Sequence, residues 1–322
     1  MLLEELRTLI ARHAQHGWRT AIEGVLVSSV SRPTAPEAST TGLVMALIAQ
    51  GAKRLALGDR VHEYRAGQYL VASVDLPITG HFSEASPSEP ALGFGLILRP
   101  STIASLLLEA GEGDGAGALG GRLTSDAAVG GEAIRRARRP VAPPGLTVSD
   151  ASPELLDAVV RLLRLLDRPA DLPILAPLAE REILWRLMTG EQGATVRQLG
   201  LTDSSLSHVS RAIGWIRDHH AESFRVEDLA RQAGMSVSAF HRNFRAITAM
   251  SPIQFQKRIR LQEARLQLIA NPDDVAGAGY AVGYDSASQF SREYRRQFGA
   301  PPGRDVSRLR AQAAPRALQL LP

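Results

Sequence analysis

The stretch VGYDSASQFSREYRRQFGAPP, residues 282–302, decides how the C-terminal part of this chain folds. It begins with a glycine turn, ends at a pair of prolines, and places Phe290 and Tyr294 four residues apart. On a helix this spacing puts both aromatic rings on one face, so the arginines around them must face the other way. The sequence therefore predicts a short helix that is anchored by buried aromatic side chains and presents cationic side chains to solvent.

The same pattern occurs about fifty residues earlier, in AGMSVSAFHRNFRAITAMSP, residues 233–252. Here Phe240 and Phe244 are four residues apart, and in both copies a proline follows the first aromatic residue by twelve positions. Such self-similarity indicates a repeated supersecondary unit.

Each copy is typical of a helix-turn-helix unit, with a tight turn at Gly234 or Gly283. The second helix is expected to be capped by Ser236 in the first copy and by Asp285 or Ser286 in the second. A short helix that exposes small, polar and cationic side chains fits the major groove of DNA, where arginine bonds guanine or phosphate and glutamine bonds adenine. The amphipathic segment FQKRIRLQEARLQLIAN, residues 255–271, would span roughly 24 Å as a helix. It could therefore hold the two reading helices about one DNA turn, about 34 Å, apart. The predicted DNA-binding residues are Ser236, Val237, Ser238, His241, Arg242, Arg245, Ser286, Ala287, Ser288, Gln289, Arg292 and Arg296.

Composition and charge narrow the class of protein. The chain has 322 residues, enough for two or three domains, and no cysteine. The lack of cysteine excludes disulfides and thiolate chemistry and is typical of a reducing cytoplasm.

Residues 211–322 hold 17 Lys and Arg against 10 Asp and Glu, whereas residues 1–210 hold 20 against 23. This asymmetry indicates a polyanionic partner for the C-terminal third, and an arginine-rich solvated surface is the alternative. Since no apolar run is long enough to cross a bilayer, we expect a cytoplasmic protein without a membrane partner.

The rest of the chain changes from strand-like to helical patterns. Residues 20–100 contain short alternating or β-branched runs that predict a small sheet or barrel. Residues 109–150 are rich in Gly and Pro and predict a linker, in which the RRARR run at residues 135–139 either is solvated or contacts phosphate. Helical spacing returns at residues 153–169, with an apolar seam that suits either a dimeric coiled coil or packing on the chain's own barrel. The seam consists of Leu156, Val159, Leu163 and Leu166.

These patterns together predict the α+β class. The predicted domains are a small β-barrel or sheet domain at residues 1–108, the linker at 109–150, a helical coupling region at 151–206, and an all-α DNA-binding domain with two helix-turn-helix units at 207–312. The resemblance described next implies that the first of these is a cupin-like domain for effector binding and dimerisation.

Several stretches closely resemble the AraC/XylS family of bacterial transcription regulators. For the DNA-binding domain these are VEDLARQAGMSVSAFHRNFRAITAMSP, QKRIRLQEARLQLI and VGYDSASQFSREYRRQFGAPPGRDVSRLR, and LIAQGAKRLALGDRVHEYRAGQYLVASVDLPITG and LAPLAEREILWRLMTG resemble the cupin-like domain of one AraC subfamily. The resemblance implies a regulator that binds double-stranded operator DNA, needs no cofactor and is not an enzyme. It also implies a small-molecule effector, RNA polymerase and a second copy of the chain, as a homodimer, as partners.

Two other functions fit parts of the sequence. The first is a metal-dependent cupin enzyme, but the barrel region offers only His62 and His81 without a close His-x-His pair, so we expect no metal site. No P-loop, dinucleotide-binding or Ser/His/Asp pattern occurs in a supporting context. The second is an architectural protein that binds DNA without sequence preference. If an effector binds inside the barrel, we expect it among residues such as Tyr64, Tyr69, His81 and Phe82.

Two features depart from the family pattern. Ala249 stands where a helix-ending glycine is expected. A left-handed alanine there would cost about 1 kcal/mol, so we expect the turn to be tightened differently. Gly277 and Gly279 lie in the first helix of the second unit, where each lowers helix stability by roughly 1 kcal/mol. We therefore expect Gly279→Ala to raise the melting temperature without abolishing DNA binding.

Overall fold

The computed structural model describes residues 1–113 and 142–313 of the chain. The arginine run at residues 135–139 lies outside the described residues. The strands are β1 Val25–Val30, β2 Glu37–Thr40, β3 Val44–Gln50, β4 Ala52–Leu57, β5 Arg60–Arg65, β6 Gln68–Ala72, β7 Pro77–Glu84, β8 Ala91–Ile97 and β9 Leu146–Asp150. The α-helices are α1 Leu2–His13, α2 Pro100–Gly113, α3 Pro153–Arg164, α4 Leu172–Thr189, α5 Gly193–Leu199, α6 Ser205–Asp218, α7 Val226–Gln232, α8 Val237–Thr248, α9 Pro252–Ala270, α10 Val275–Ala281, α11 Ala287–Phe298 and α12 Pro302–Ala313.

The strands form two antiparallel sheets with the orders β1-β8-β3-β6-β9 and β2-β7-β4-β5. Alternate residues of β3 face opposite sides of the larger sheet, as the pleat requires. Val44, Ala46 and Ile48 face a core shared with the smaller sheet, whereas Met45 and Leu47 face the helices. A sheet-rich N-terminal part followed by a helical C-terminal part confirms the predicted α+β class.

The apolar seam of α3 packs within the chain. Val159 and Leu163 have no exposed surface, and they share a core with α1, α4 and the outer face of the larger sheet. Leu156 and Leu166 are partly buried against the same core. Of the two roles expected for the seam, the structure shows packing on the chain's own sheet.

The predicted linker at residues 109–150 is too long at both ends. Residues 109–113 continue α2, and β9 pairs with β6 in register from Gln68 opposite Asp150 to Ala72 opposite Leu146. An added strand is held by main-chain hydrogen bonds to its neighbour and needs only a short apolar stretch. Such a stretch is difficult to recognise in a sequence that is otherwise rich in Gly and Pro.

The two halves of the helical region have different cores. Phe240 and Phe244 of α8 and Phe255 of α9 belong to one buried cluster with Val74 and Leu146 of the β-domain. The segment from Leu261 to Val306 forms a separate cluster around Phe290 and Tyr294. The first helix-turn-helix unit is therefore packed on the β-domain, and the second is attached through α9.

Polar contacts complete the junction between the β-domain and the first unit. The N–H of Gly145 donates to the carbonyl of Ile247 at 2.9 Å, and Gln262 of α9 donates to the carbonyl of Ser39 at 3.0 Å. An ion pair joins Arg217 of α6 to Asp75 of the β6–β7 loop. These contacts connect the segment before β9 and the β6–β7 loop directly to α8 and α6.

Candidate nucleic-acid interface

The first unit consists of α7, a glycine turn and α8. Gly234 makes the turn with φ of +67°, and the N–H of Met235 donates to the carbonyl of Ala230 at 2.9 Å. Ser236 caps α8, since its hydroxyl accepts a hydrogen bond from the N–H of Ala239 at 3.4 Å. The hydroxyl of Ser236 is therefore engaged in the helix start, in agreement with its predicted capping role.

Aromatic anchors hold α8 in place. Phe240 and Phe244 have no exposed surface, and their ring centres are 5.4 Å apart. Phe244 also meets Phe255 of α9 edge to face at 5.6 Å. The predicted burial of this pair is confirmed.

The opposite face of α8 is open to solvent. It carries Val237, Ser238, His241, Arg242 and Arg245, all exposed. Among the residues that the structure describes, neither Arg242 nor Arg245 forms an ion pair, so both guanidinium groups can reach an external anion.

The second unit repeats this construction with α10 and α11. Ring centres follow one another from Tyr284 to Phe290 at 5.4 Å, to Tyr294 at 5.6 Å and to Phe298 at 4.5 Å. Phe290 and Tyr294 have no exposed surface. Ser286 caps α11 at 3.4 Å from the N–H of Gln289, so the aromatic column holds a helix that is capped as α8 is.

The predicted DNA-binding residues of α11 are less uniformly exposed to solvent than those of α8. Ser288, Gln289, Arg292 and Arg296 are exposed, whereas Ala287 is half-buried. The twelve predicted residues thus lie on the caps and outer faces of two equivalent helices. Their contact with DNA stays a prediction.

Glu293 is a member of this site that sequence reasoning missed. Its carboxylate accepts hydrogen bonds from Lys257 at 3.0 Å, Tyr284 at 3.0 Å and Gln289 at 3.3 Å. Burial alone would raise the pKa of Glu293, but these hydrogen bonds outweigh it and hold the pKa below its ordinary value. The contact restrains the Gln289 amide, the group expected to pair with adenine, and the spacing of Gln289 and Glu293 by four residues was the available signal.

A buried carboxylate holds the last helix against the second unit. Asp305 of α12 has no exposed surface and accepts bonds from Arg265 at 2.7 and 3.1 Å, Tyr294 at 2.9 Å and Arg308 at 2.7 Å. Burial would raise the pKa of Asp305, but the hydrogen bonds and the charge of Arg265 prevail and lower it. The Arg265 guanidinium also lies 4.5 Å over the ring of Phe298. This cluster joins α9, α11 and α12 through one satisfied ionic group.

Arg260 of α9 joins the two units. Its guanidinium donates to four carbonyl oxygens: to His220 at 2.6 Å, Gly283 at 2.7 Å, Glu222 at 3.0 Å and Ala221 at 3.1 Å. The carbonyl of Gly283 belongs to the turn of the second unit, and the other three belong to the loop before α7 in the first unit. We call this set of hydrogen bonds the Arg260 clamp.

Two further residues support the Arg260 clamp. Gln256 donates to the carbonyls of His220 at 3.0 Å and Glu222 at 2.6 Å. Gly283 has φ of +88°, and a Cβ there would collide with the carbonyl oxygen of Ala221. The turn of the second unit therefore touches the first unit directly, and only glycine allows that approach.

The structure decides two expectations about unusual backbone positions. Ala249 does adopt the left-handed conformation, with φ of 58° and ψ of 12°, so the turn is not rearranged to avoid it. A Cβ on Gly279 would lie 3.0 Å from two ring atoms of Phe290, which is held between Tyr284 and Tyr294. A side chain at Gly279 would therefore be crowded by Phe290, and this packing opposes the stabilisation expected for Gly279→Ala, which counted helix propensity alone. The effect of the substitution stays a prediction.

The β-domain residues named in advance do not form one site. Tyr64 and Phe82 line a cavity between the sheets, but Tyr69 belongs to the core on the other face of the larger sheet. His81 is partly exposed, and burial together with Arg54 lowers its pKa. Burial and Arg60 likewise lower the pKa of His62. Within residues 1–113 and 142–313, no group of three or more His, Asp or Glu side chains is arranged to hold a metal ion.

Within the same described ranges, no helix has the length and apolar character needed to cross a membrane.

Comparison with known proteins identifies the class. Residues 229–308 match a helix-turn-helix domain family, and residues 21–195 match the family described as the AraC-type transcriptional regulator N-terminus. The second match spans more than half of the chain. The chain therefore belongs to the AraC-type transcriptional regulators, a family of regulators rather than enzymes.

Individual relatives agree with this assignment. The HTH-type transcriptional activator RhaS of Escherichia fergusonii is 30% identical over 159 residues, which are 47% of this chain and 56% of the relative. RhaS of Salmonella arizonae is 29% identical over 151 residues, 47% of this chain and 54% of the relative. The chain thus spans about half the length of the curated relatives it matches.

Two solved structures also show similarity to this chain. Apo ToxT from Vibrio cholerae covers 90% of this chain and 99% of its own, with 9% identity and a TM-score of 0.49. A probable AraC family transcriptional regulator from Rhodopseudomonas palustris is 30% identical, covering 32% of this chain and 97% of its own with a TM-score of 0.30.

Proposed function

We propose that this protein regulates transcription by binding double-stranded DNA in a sequence-specific manner through α8 and α11. The observation that carries the proposal is the matched construction of the two units. Each has a serine-capped helix with two aromatic anchors of zero exposure and an opposite face that carries exposed arginines. Such a pair suits two successive stretches of major groove.

Side-chain chemistry indicates which exposed residues would contact bases and which would contact phosphates. Arg242 and Arg292 are exposed near the middle of each reading helix and are the foremost residues for bonds to guanine or phosphate. Gln289 would read adenine, with its amide oriented by Glu293. Phosphate contacts by the remaining arginines would make the affinity fall steeply with salt.

The other partners are part of the same proposal. A small-molecule effector would bind on the β-domain side and act through the contacts that join it to α6 and α8. RNA polymerase and a second copy of the chain, as a homodimer, are proposed from family membership alone, and so is a cytoplasmic location.

The direct test removes one reading arginine. Arg292→Ala should weaken binding to an operator selected from random DNA by about 1–3 kcal/mol, measured by fluorescence anisotropy at constant salt. Arg168→Ala is the matched control, because Arg168 is also an exposed arginine but lies in the coupling region, and its replacement removes the same charge. If both variants bind as the wild type does, Arg292 is not part of the interface.

The same titration separates specific binding from architectural binding. The wild-type protein should prefer the selected operator over scrambled DNA of equal length by at least about a thousandfold. Equal affinity for both DNAs would contradict sequence-specific regulation.

A further inference from the structure

Glu293 lies behind the exposed residues of the second reading helix. Its side chain is 12% exposed, and it follows Gln289, whose side chain is open to solvent, by one helical turn. Its Oε1 accepts a hydrogen bond from Nζ of Lys257 at 3.0 Å and from Nε2 of Gln289 at 3.3 Å. Its Oε2 accepts from the hydroxyl of Tyr284 at 3.0 Å. Both carboxylate oxygens are therefore engaged by donors.

Neighbouring elements hold this carboxylate in one place. Lys257 belongs to α9, whereas Tyr284 lies in the turn between α10 and α11. The ring of Tyr284 is buried and packs on Phe290 with ring centres 5.4 Å apart, so packing fixes the position of its hydroxyl. Because the hydrogen bonds hold the pKa of Glu293 below its ordinary value, the group is negatively charged at neutral pH. Gln289 thus has a fixed anionic acceptor beside its amide.

A fixed anion decides which way the Gln289 amide faces. The amide has two N–H donors on its nitrogen and an acceptor in its carbonyl oxygen. The carboxylate of Glu293 attracts the N–H side and repels the carbonyl oxygen. The orientation in the structure, with Nε2 toward Glu293, therefore leaves one N–H group and the carbonyl oxygen of Gln289 for an external partner.

One donor and one acceptor match adenine and do not match guanine. In the major groove adenine presents N7 as an acceptor and its N6 amine as a donor, whereas guanine presents N7 and O6, which are both acceptors. A guanine in the same place would set its O6 against the carbonyl oxygen of Gln289, with no proton between the two. To offer guanine only N–H groups, the amide would have to turn and give up its bond to Glu293.

We propose that Glu293 is a specificity-determining residue, which makes Gln289 select adenine against guanine by engaging one of its two amide donors. Glu293 acts through Gln289 and is therefore a positioning residue, which itself contacts no base. The inference rests on the proposed function, since it requires α11 to lie in a major groove. It goes beyond that function because it states which purine is excluded and which carboxylate excludes it.

The test measures base preference on the operator selected from random DNA, with the full chain. Anisotropy titrations with each of the four base pairs identify the position read by Gln289 as the one where Gln289→Ala loses the preference. There the wild type should bind A about tenfold or more tightly than G, and Glu293→Met, which keeps an unbranched stem without the carboxylate, should reduce that ratio to about threefold or less. Glu263→Met should keep the ratio, because Glu263 is a half-buried carboxylate of α9 outside this set of hydrogen bonds.

Modified DNA tests the amide orientation without a change at Glu293. Replacement of the selected adenine by purine, which lacks the N6 amine, removes the donor that the Gln289 carbonyl oxygen would accept. It should weaken binding by the wild type about fivefold or more and weaken binding by Gln289→Ala much less. If Glu293→Met does not fold by circular dichroism, this measurement decides alone, and an unchanged wild-type affinity for the purine operator overturns the inference.

The remaining outcomes separate this inference from the proposed function. If Glu293→Met keeps the full ratio of A to G, or binds all four base pairs more weakly by one common factor, Glu293 does not select the base. A wild-type preference for G at this position overturns the inference as well. If Gln289→Ala instead keeps the base preference at every position, Gln289 reads no base, and that part of the proposed function fails together with the inference.

Discussion

Replacement of Arg260 by methionine would open the clamp between the two helix-turn-helix units. Methionine keeps the apolar stem and removes every donor. Gln256 still serves the carbonyls of His220 and Glu222, so the carbonyls of Ala221 and Gly283 lose the side-chain donor that the structure gives them. Arg260→Met therefore weakens the contact between the two helix-turn-helix units more than it weakens the packing within either unit.

The size of the effect follows from these two bonds. Hydrogen bonds to a charged donor contribute about 1.5–3 kcal/mol each, which would total about 3–6 kcal/mol in a dry site. Since Arg260 is half-buried, solvent reduces the expected loss to about 2–3 kcal/mol of unfolding free energy. Thermal or urea unfolding of the full chain measures it, with Arg168→Met as the control on an exposed arginine outside the DNA-binding domain.

The dependence of DNA affinity on the distance between the two subsites gives a readout that a general loss of protein stability would not change. With a rigid clamp, the second helix meets its subsite at high effective concentration, and one inserted base pair between the subsites displaces it. We expect the wild type to lose affinity strongly on insertion and Arg260→Met to lose much less, in anisotropy titrations on the selected operator. If Arg260→Met keeps the full spacing dependence of the wild type, the clamp does not set the distance between the reading helices.

Three other substitutions test local claims by thermal unfolding. Ala249→Gly should raise the unfolding free energy by about 0.5–1 kcal/mol, because it relieves a left-handed alanine; a lower melting temperature would count against strain at this turn. Gly279→Ala should lower the melting temperature, because the new methyl group presses on the buried Phe290 ring, and an increase would restore the argument from helix propensity. The lowered pKa of Asp305 means that its stabilisation is complete above the unfolded value of about 3.9 and is lost as the pH falls through the lower folded value. The unfolding free energy should therefore change less between pH 5 and pH 2 in Asp305→Asn than in the wild type. The same pH dependence in both proteins would show that Arg265 does not favour the ionised carboxylate.

Much of the DNA-reading face could be predicted from the sequence. Phe240 with Phe244 and Phe290 with Tyr294 are spaced by one helical turn, and that spacing alone places each pair on one side of its helix. The exposed positions of Arg242 and of its counterpart in the second unit follow from the same geometry. The helix-turn-helix units were predictable because they depend on interactions within about twenty residues.

The features that join distant segments could not be predicted in this way. Arg260 looked like one more polar residue on an amphipathic helix until its guanidinium was found among carbonyls about forty residues before and twenty after it. Gly279 looked like a weak point in a helix, yet the Phe290 ring of another helix lies only 3.0 Å from the place of a Cβ atom there. Strand β9 was hidden in a Gly- and Pro-rich segment because its stability comes from β6.

The local sequence thus determined which helices form and which faces they expose, since backbone geometry converts residue spacing into direction without reference to the rest of the chain. Only the tertiary structure decided how the two units are clamped and that the first unit is packed on the β-domain. Those features depend on which surfaces meet after the chain has folded, and steric fit and hydrogen bonding between remote segments are not encoded in the spacing of any one segment.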